Sequence, residues 1–298
     1  MSDSDDLIGE LRRLAVRYGS APAEVLPTRP DVIIVRAGSV VVKAHSPGAE
    51  RAPLVRRMHA VAEPALREIM LEPLTEEVTV VGDRLVTVWP AGTPVDHHDP
   101  DAAPWEAAAR LLARLHAVPA RTLPPLPPAG GPARVAAMVS RLEHGSAAGL
   151  VVRRALACLP PAPPGPATPA HGDWHLGQMV RIRGEWILID VDDLGIGDPA
   201  WDLARPAAWF AAGLLEPEVW YRFLTAYRMA GGHAAGADGD PWERLDLPAQ
   251  AVTVQLTAAA VAKAEREGRP LDEVEQILVD TCQRIVRFRS ACHSVPTQ

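Results

Sequence analysis

The sequence predicts an α+β protein of two lobes, a small β-rich lobe over residues 1–90 and a larger helical one over residues 91–298. Three observations predict it. Four β-branched runs before residue 90 form two pairs: 31–35 and 39–44 flank Arg36-Ala37-Gly38, and 77–81 and 85–89 flank Gly82-Asp83. Each pair reads as a hairpin whose turn holds a glycine for the positive φ that turns need. The run Trp89-Pro90-Ala91-Gly92-Thr93-Pro94 then breaks any regular element and reads as a linker. Beyond about residue 103 apolar positions recur at helical spacing and strands almost vanish.

The elements follow in order. Residues 7–18 carry a helical period and form a short opening helix. Lys43 lies near the end of the second strand, and a helix over 48–62 follows Ser46-Pro47. A helix over 105–116 opens the second lobe. Proline-rich connections over 118–132 and 159–169 bracket a helical stretch over 134–158. Residues 171–204 form a compact segment of strands and loops, with a tight turn at Arg183-Gly184-Glu185 between short apolar runs at 179–182 and 186–190. Three helical runs fill 216–292, broken at Gly231-Gly232, at 236–241 and at 268–270.

Composition narrows the function. At 48% hydrophobic and 22% charged, the 298-residue chain has the make-up of a soluble globular protein. The acidic start MSDSDD and the lack of a run of roughly 18 apolar residues predict a cytoplasmic protein without a membrane span. A net charge of −7 argues against nucleic acid and favours neutral or cationic partners. Cys158, Cys282 and Cys292 have neither the number nor the spacing of a disulfide framework or zinc cluster, so they are expected to be structural thiols. The thirty Lys and Arg residues include only two lysines, Lys43 and Lys263, so a lysine in mid-strand stands out.

Chemistry concentrates in His171-Gly172-Asp173-Trp174-His175-Leu176-Gly177-Gln178 and in the buried-strand pattern Trp186-Ile187-Leu188-Ile189-Asp190. Asp173, Gln178 and Asp190 would gather oxygen ligands at one edge, the donor type that Mg²⁺ requires. Phosphoryl transfer needs a carboxylate to orient the accepting hydroxyl, oxygen donors for a metal, and a remote Lys on the nucleotide phosphates. Lys43 supplies the last. A different chemistry is open to His171, Asp173 and His175 as alternating zinc or manganese ligands of a hydrolase, but Gly172 and Gly177 interrupt the strand this needs, and His97, His98 and His116 carry no matching motif.

With His171-Gly172-Asp173, Ile189-Asp190 and Gly197-Asp198-Pro199-Ala200-Trp201-Asp202-Leu203-Ala204, the chain resembles the aminoglycoside phosphotransferase and choline kinase superfamily over about residues 31–230. The resemblance implies a protein-kinase-like fold and an ATP- or GTP- and Mg²⁺-dependent transfer to a hydroxyl of a small molecule. It implies Asp173 as catalytic base, Gln178 and Asp190 as metal ligands, and Lys43 as the phosphate-contacting lysine. Lys43 would be paired with an acid of the next helix, Glu50 in preference to Glu63. Trp89 and Ala91 would belong to the hinge against which adenine stacks, and His171, Asp198 and Asp202 would be structural. Gln178 stands where the family usually has Asn, and His175-Leu176-Gly177-Gln178 resembles the branch of maltokinases and related sugar kinases. The loop over 26–30 lacks the glycines of a phosphate-covering loop. Trp174 is expected as a wall of the acceptor site, with Asp192 and Asp193 as contacts for a cationic acceptor. An aminoglycoside or other hydroxylated antibiotic leads as acceptor; a sugar kinase and a nucleotide-binding pseudokinase are the alternatives.

Overall fold

The computed structural model describes residues 3–293 apart from 30, 97, 100, 101, 143, 144, 164 and 237. Pro30 of the glycine-free loop, His97 and the side chain of Cys292 lie outside the described residues. Helix α1 (Asp3–Tyr18) precedes strands β1 (Glu24–Leu26), β2 (Ile33–Ala37) and β3 (Val40–Ala44). After α2 (Arg51–Ala62) come β4 (Thr79–Val81) and β5 (Arg84–Pro90), and the five strands form one antiparallel sheet in the order β1-β2-β3-β5-β4. Strand β1 occupies part of the segment expected to be loop, and α2 starts three residues later than its composition suggests.

Alternation along the strands explains the two faces of this sheet. Val35, Ala37, Val40, Val42, Ala44, Val86 and Val88 turn one way and form a buried layer with Leu11 and Ala15 of α1. Lys43 on β3 and Thr87 on β5, directly opposite one another in register, turn the other way, toward the second lobe. Gly38, with φ +61°, makes the tight turn between β2 and β3.

The lobes are joined through a second sheet. Strand β6 (Thr93–Pro94) pairs with β8 (Met179–Ile182), which pairs with β9 (Glu185–Leu188). A side chain at Gly92 would put its Cβ 2.6 Å from Val180, so the linker lies directly on the hairpin that carries the expected metal ligands.

The helical part contains α3 (Trp105–Ala117), α4 (Gly131–Ser140), α5 (Ala147–Cys158), the strand pair β7 (Thr168–Ala170) and β10 (Gly195–Gly197), α6 (Ala200–Ala212), α7 (Pro217–Met229), α8 (Trp242–Glu267) and α9 (Glu273–His293). The helical stretch expected over 134–158 is two helices, because Ser146 caps a new one: its Oγ accepts the N–H of Gly149 at 3.0 Å. Helix α6 starts inside the segment expected as strands and loops over 171–204, and Pro206 lies within it. Cys282 is buried, donates to Thr257 Oγ1 at 3.2 Å, and has its thiol pushed up to about 11 by burial. Cys158 is half-buried, and both thiols are free. Among the described residues no helix is long and apolar enough to cross a membrane.

Candidate active site

The loop between β7 and β8 carries the His171-to-Gln178 segment, and a buried carboxylate shapes it. Asp202, near the start of α6, accepts the N–H groups of His171 at 2.6 Å and Gly172 at 2.8 Å, and lies 2.9 Å from His116 Nε2. The other ring nitrogen of His116 lies 2.8 Å from the Tyr227 hydroxyl. Burial opposes the Asp202 charge, but His116 and the His171 amide outweigh it and hold the carboxyl below its ordinary range. Gly172 has φ +83°, and a Cβ there would fall 2.2 Å from the Asp193 carbonyl oxygen. Only glycine fits between these neighbours. His171 is buried, with Nε2 2.8 Å from the Ile189 carbonyl, which ties the loop to the segment that presents Asp190. Asp198 accepts the Ala200 N–H at the start of α6 and both its oxygens accept from Arg244 at 2.9 Å.

Asp190, just beyond β9, has φ +70°, a left-handed conformation that costs roughly 1–2 kcal/mol and that Asp tolerates better than most residues. Its hydrogen bonds hold it there. Oδ1 accepts from Lys43 Nζ at 2.7 Å and from the Asp192 N–H at 3.0 Å, while Oδ2 accepts from Gln178 Nε2 at 3.1 Å. Lys43 also donates to Asp192 Oδ2 at 2.9 Å. Burial works against the Lys43 charge, yet Asp190 and Asp192 outweigh it and raise the ammonium above its ordinary value. Asp190 is held below the carboxylate range, with burial and the Asp192 charge opposed by Lys43. Asp192 is held well below that range by Lys43 and His45 against the cost of burial.

Asp192 is a junction of side chains from the first lobe. Besides Lys43 it receives Arg29 Nη2 at 3.0 Å, and His45 Nδ1 lies 2.7 Å away. His45 Nε2 is 2.8 Å from Thr87 Oγ1, which accepts from Trp89 Nε1 at 2.8 Å. With its proton on Nδ1, His45 completes a chain of donors from Trp89 through Thr87 to Asp192.

Asp173 is held at both oxygens: Oδ1 by Arg205 Nη2 at 2.9 Å and Oδ2 by Arg134 Nη2 at 2.7 Å. Arg134 also binds Asp193 through Nη1. Burial raises the Asp193 carboxyl, with Arg134 pulling the other way. His175 is driven down to about 4 by burial and by Arg205. Its Nδ1 accepts the Gly177 N–H at 3.0 Å.

The structure thus brings Lys43, Asp190 and Gln178 together and sets Asp173 on the same loop as Gln178. Four expectations change. Trp174 is a core residue, stacked on Phe223 with centroids 5.6 Å apart and edge-on to Trp105, so it forms no acceptor wall. The Trp89 ring is buried and its N–H is spent on Thr87, which removes it as an adenine platform, while the Ala91 N–H donates to the Ser39 carbonyl at 2.7 Å. Glu50 precedes the first residue of α2 and Glu63 follows its last; the acids that pair with Lys43 are Asp190 and Asp192. Asp192 and Asp193 are each bound by arginine, so neither stands open as a contact for a cationic acceptor. Sequence reasoning missed Arg29, His45, Arg134 and Arg205; among so many arginines no spacing marks these.

A divalent cation is implied by the resemblance, and the donors fit one. Asp190 and Gln178 are oxygen-bearing and adjacent, and a half-turn of the Gln178 amide presents its oxygen in place of Nε2. Mg²⁺ uses one or two such protein ligands when phosphates and water supply the rest. Among the described residues no three or more His, Cys, Asp or Glu side chains are grouped to hold a metal. The two guanidiniums that occupy Asp173 tell against the hydrolase reading.

Beside these residues a cleft of about 830 Å³ opens between the start of α2, the faces of α4 and α8, and Asp192 and Asp193. A family model described as the phosphotransferase enzyme family matches residues 29–247. This chain belongs to that family. The phosphotransferase is a small-molecule kinase by that membership, and solved structures share its fold. A choline/ethanolamine kinase family protein from Mesorhizobium loti is 18% identical, with 98% of this chain and 95% of that one covered at a TM-score of 0.60. The choline kinase LicA from Streptococcus pneumoniae is 16% identical, with 97% and 100% covered at 0.61. The aminoglycoside phosphotransferase APH(4)-Ia, in a ternary complex with AMP-PNP and hygromycin B, is 14% identical, with 94% and 98% covered at 0.59. No curated protein matches the phosphotransferase by sequence.

Proposed function

We propose that this chain transfers the γ-phosphoryl group of ATP or GTP to a hydroxyl of a small molecule, with Asp173 as the base. One observation carries the reading: a lysine of the first lobe meets a strand-end aspartate of the second at 2.7 Å, beside an amide ligand on the same loop as Asp173. The relative captured with AMP-PNP and hygromycin B supports it by fold. In this proposal residues 1–90 form the nucleotide-binding lobe and 91–298 the catalytic and acceptor lobe, working in the cytoplasm where nucleotide triphosphates are available.

The roles follow from position. Lys43 is the ammonium for the nucleotide phosphates, and the backbone at 89–92 borders the base. Asp190 and Gln178 would hold Mg²⁺, which would neutralise charge on the phosphate oxygens. Arg134 and Arg205 fix both oxygens of Asp173, so the carboxylate is oriented before the acceptor arrives. Asp173 then accepts the proton of the attacking hydroxyl. A hydroxylated antibiotic and a sugar are the two acceptor classes to separate, and protection of a sensitive host separates them. A coupled assay of nucleotide consumption against a library of hydroxylated small molecules tests the proposal. Acceptor-dependent release of the diphosphate supports it; nucleotide binding with no transfer to any acceptor would instead mark a pseudokinase.

A further inference from the structure

The cleft beside Asp173 has a charge pattern that the proposed reaction does not use. Arg134, Ala137, Met138 and Arg141 line it from α4, and Ala259, Ala262, Lys263 and Arg266 from α8. Both sets follow i, i+3, i+4, i+7 spacing, so each helix turns one continuous face to the cleft. Ala137 lies between Arg134 and Arg141, and Ala259 and Ala262 precede Lys263 and Arg266, so small residues stand beside the basic ones. Six Lys or Arg and five Asp or Glu line the cavity, although the chain as a whole carries −7.

The inner charges are already matched. Asp192 is held by Lys43 and Arg29, Asp193 by Arg134, and Arg29 also lies 3.7 Å from Asp31. Arg57 donates to the Leu194 carbonyl at 2.8 Å with the aspartates nearby. Glu265 has both carboxylate oxygens out of solvent and without a hydrogen-bond partner, so it offers no accessible acid to a ligand. Lys263 feels the charge of Glu275, but that carboxylate is engaged by Arg269 at 2.7 and 2.8 Å. What remains is exposed Arg141, Lys263 and Arg266, in no ion pair among the described residues, against exposed Glu50 on the opposite wall and the shielded, uncompensated Glu265 on α8.

We infer that the acceptor is an anionic hydroxyl compound whose phosphate or carboxylate group is held by Arg141, Lys263 and Arg266. Its hydroxyl would lie at Asp173. Arg134 touches Asp173, and Arg141, the residue that caps the end of α4, is seven residues further along, which is roughly 10 Å of helix rise. That spacing suits an acceptor about the size of a disaccharide with one charged end. A polycationic aminoglycoside is the poorer match, because Asp192 and Asp193 already have basic partners and the Glu265 oxygens are shielded from solvent.

The inference rests on the proposed kinase reading, and the test keeps the two apart. Lactose 6-phosphate and lactobionate, the phosphate and carboxylate arms, are compared with uncharged lactose and cationic lactosamine by coupled turnover and by calorimetric binding. Nucleotide titration is run separately. The expected result is binding or turnover of one anionic probe at about tenfold or more over lactose and lactosamine, as hydrogen bonds to charged groups allow. Arg141→Glu and Lys263→Glu, shown folded by thermal unfolding, should each abolish that preference. Equal or better use of lactose or lactosamine, or no anionic probe bound by a protein that binds nucleotide, overturns the inference and leaves the kinase reading standing. A chain that binds no nucleotide loses both.

Discussion

Asp202 and Asp192 are both carboxylates with several partners, and they are held in different ways. Asp202 is fully buried and takes two backbone N–H groups of one loop together with a histidine of the same lobe. Asp192 takes side chains of the other lobe, Lys43, His45 and Arg29, on the rim of an open cleft. Backbone amides cannot move without the loop, so Asp202 fixes the conformation that presents Asp173. Long side chains can swing away, so Asp192 makes a contact between lobes that can be exchanged.

This contrast sets the order of effects. Asp202→Ala leaves two amides and His116 without their acceptor in a closed interior, and should cost about 3–5 kcal/mol in urea unfolding. Asp192→Asn keeps the shape and loses one charge, while buried Lys43 retains Asp190 as its partner, and about 1–2 kcal/mol is expected by the same measurement. Equal costs would erase the distinction drawn between the two carboxylates.

Acid titration sharpens it. Asp190 and Asp192 have folded-state values below their ordinary value of 3.8. A depressed carboxyl contributes stability above its unfolded value and loses it as pH falls through the folded one. Asp193 is raised and acts with the opposite sign. The stability gap between wild type and Asp192→Asn should therefore be constant at neutral pH and shrink below pH 3.8, read by chemical unfolding across pH. A gap that widens on acidification would contradict the assignment. The smallest effect belongs to Arg244→Ala, which removes a partly exposed pair with Asp198 and should cost about 1 kcal/mol or less in thermal unfolding.

The two hairpins were legible because valine runs and turn glycines are local signals. The His171-Gly172-Asp173 loop was legible through its resemblance to a family motif, and the structure shows why the glycine stands there: Gly172 has φ +83°. Lys43 stood out by rarity. Trp174 was misread from its nearness to Asp173, since adjacent residues need not share surroundings: the carboxylate is held by Arg134 and Arg205 while the indole enters the core. Glu50 was misread because the acids that satisfy Lys43 come from residues 147 and 149 positions away. Arg134 and Arg205 meet at Asp173 only after α4 and α6 pack.

The central claim is that Asp173 serves the acceptor while Lys43 and Asp190 serve the nucleotide. Asp173→Asn, assayed for acceptor-dependent turnover and for nucleotide affinity in parallel, tests it most directly. The account predicts a fall in kcat of about 10²–10⁴-fold with nucleotide affinity retained. Turnover near the wild-type rate, or loss of nucleotide binding as the main effect, would contradict it.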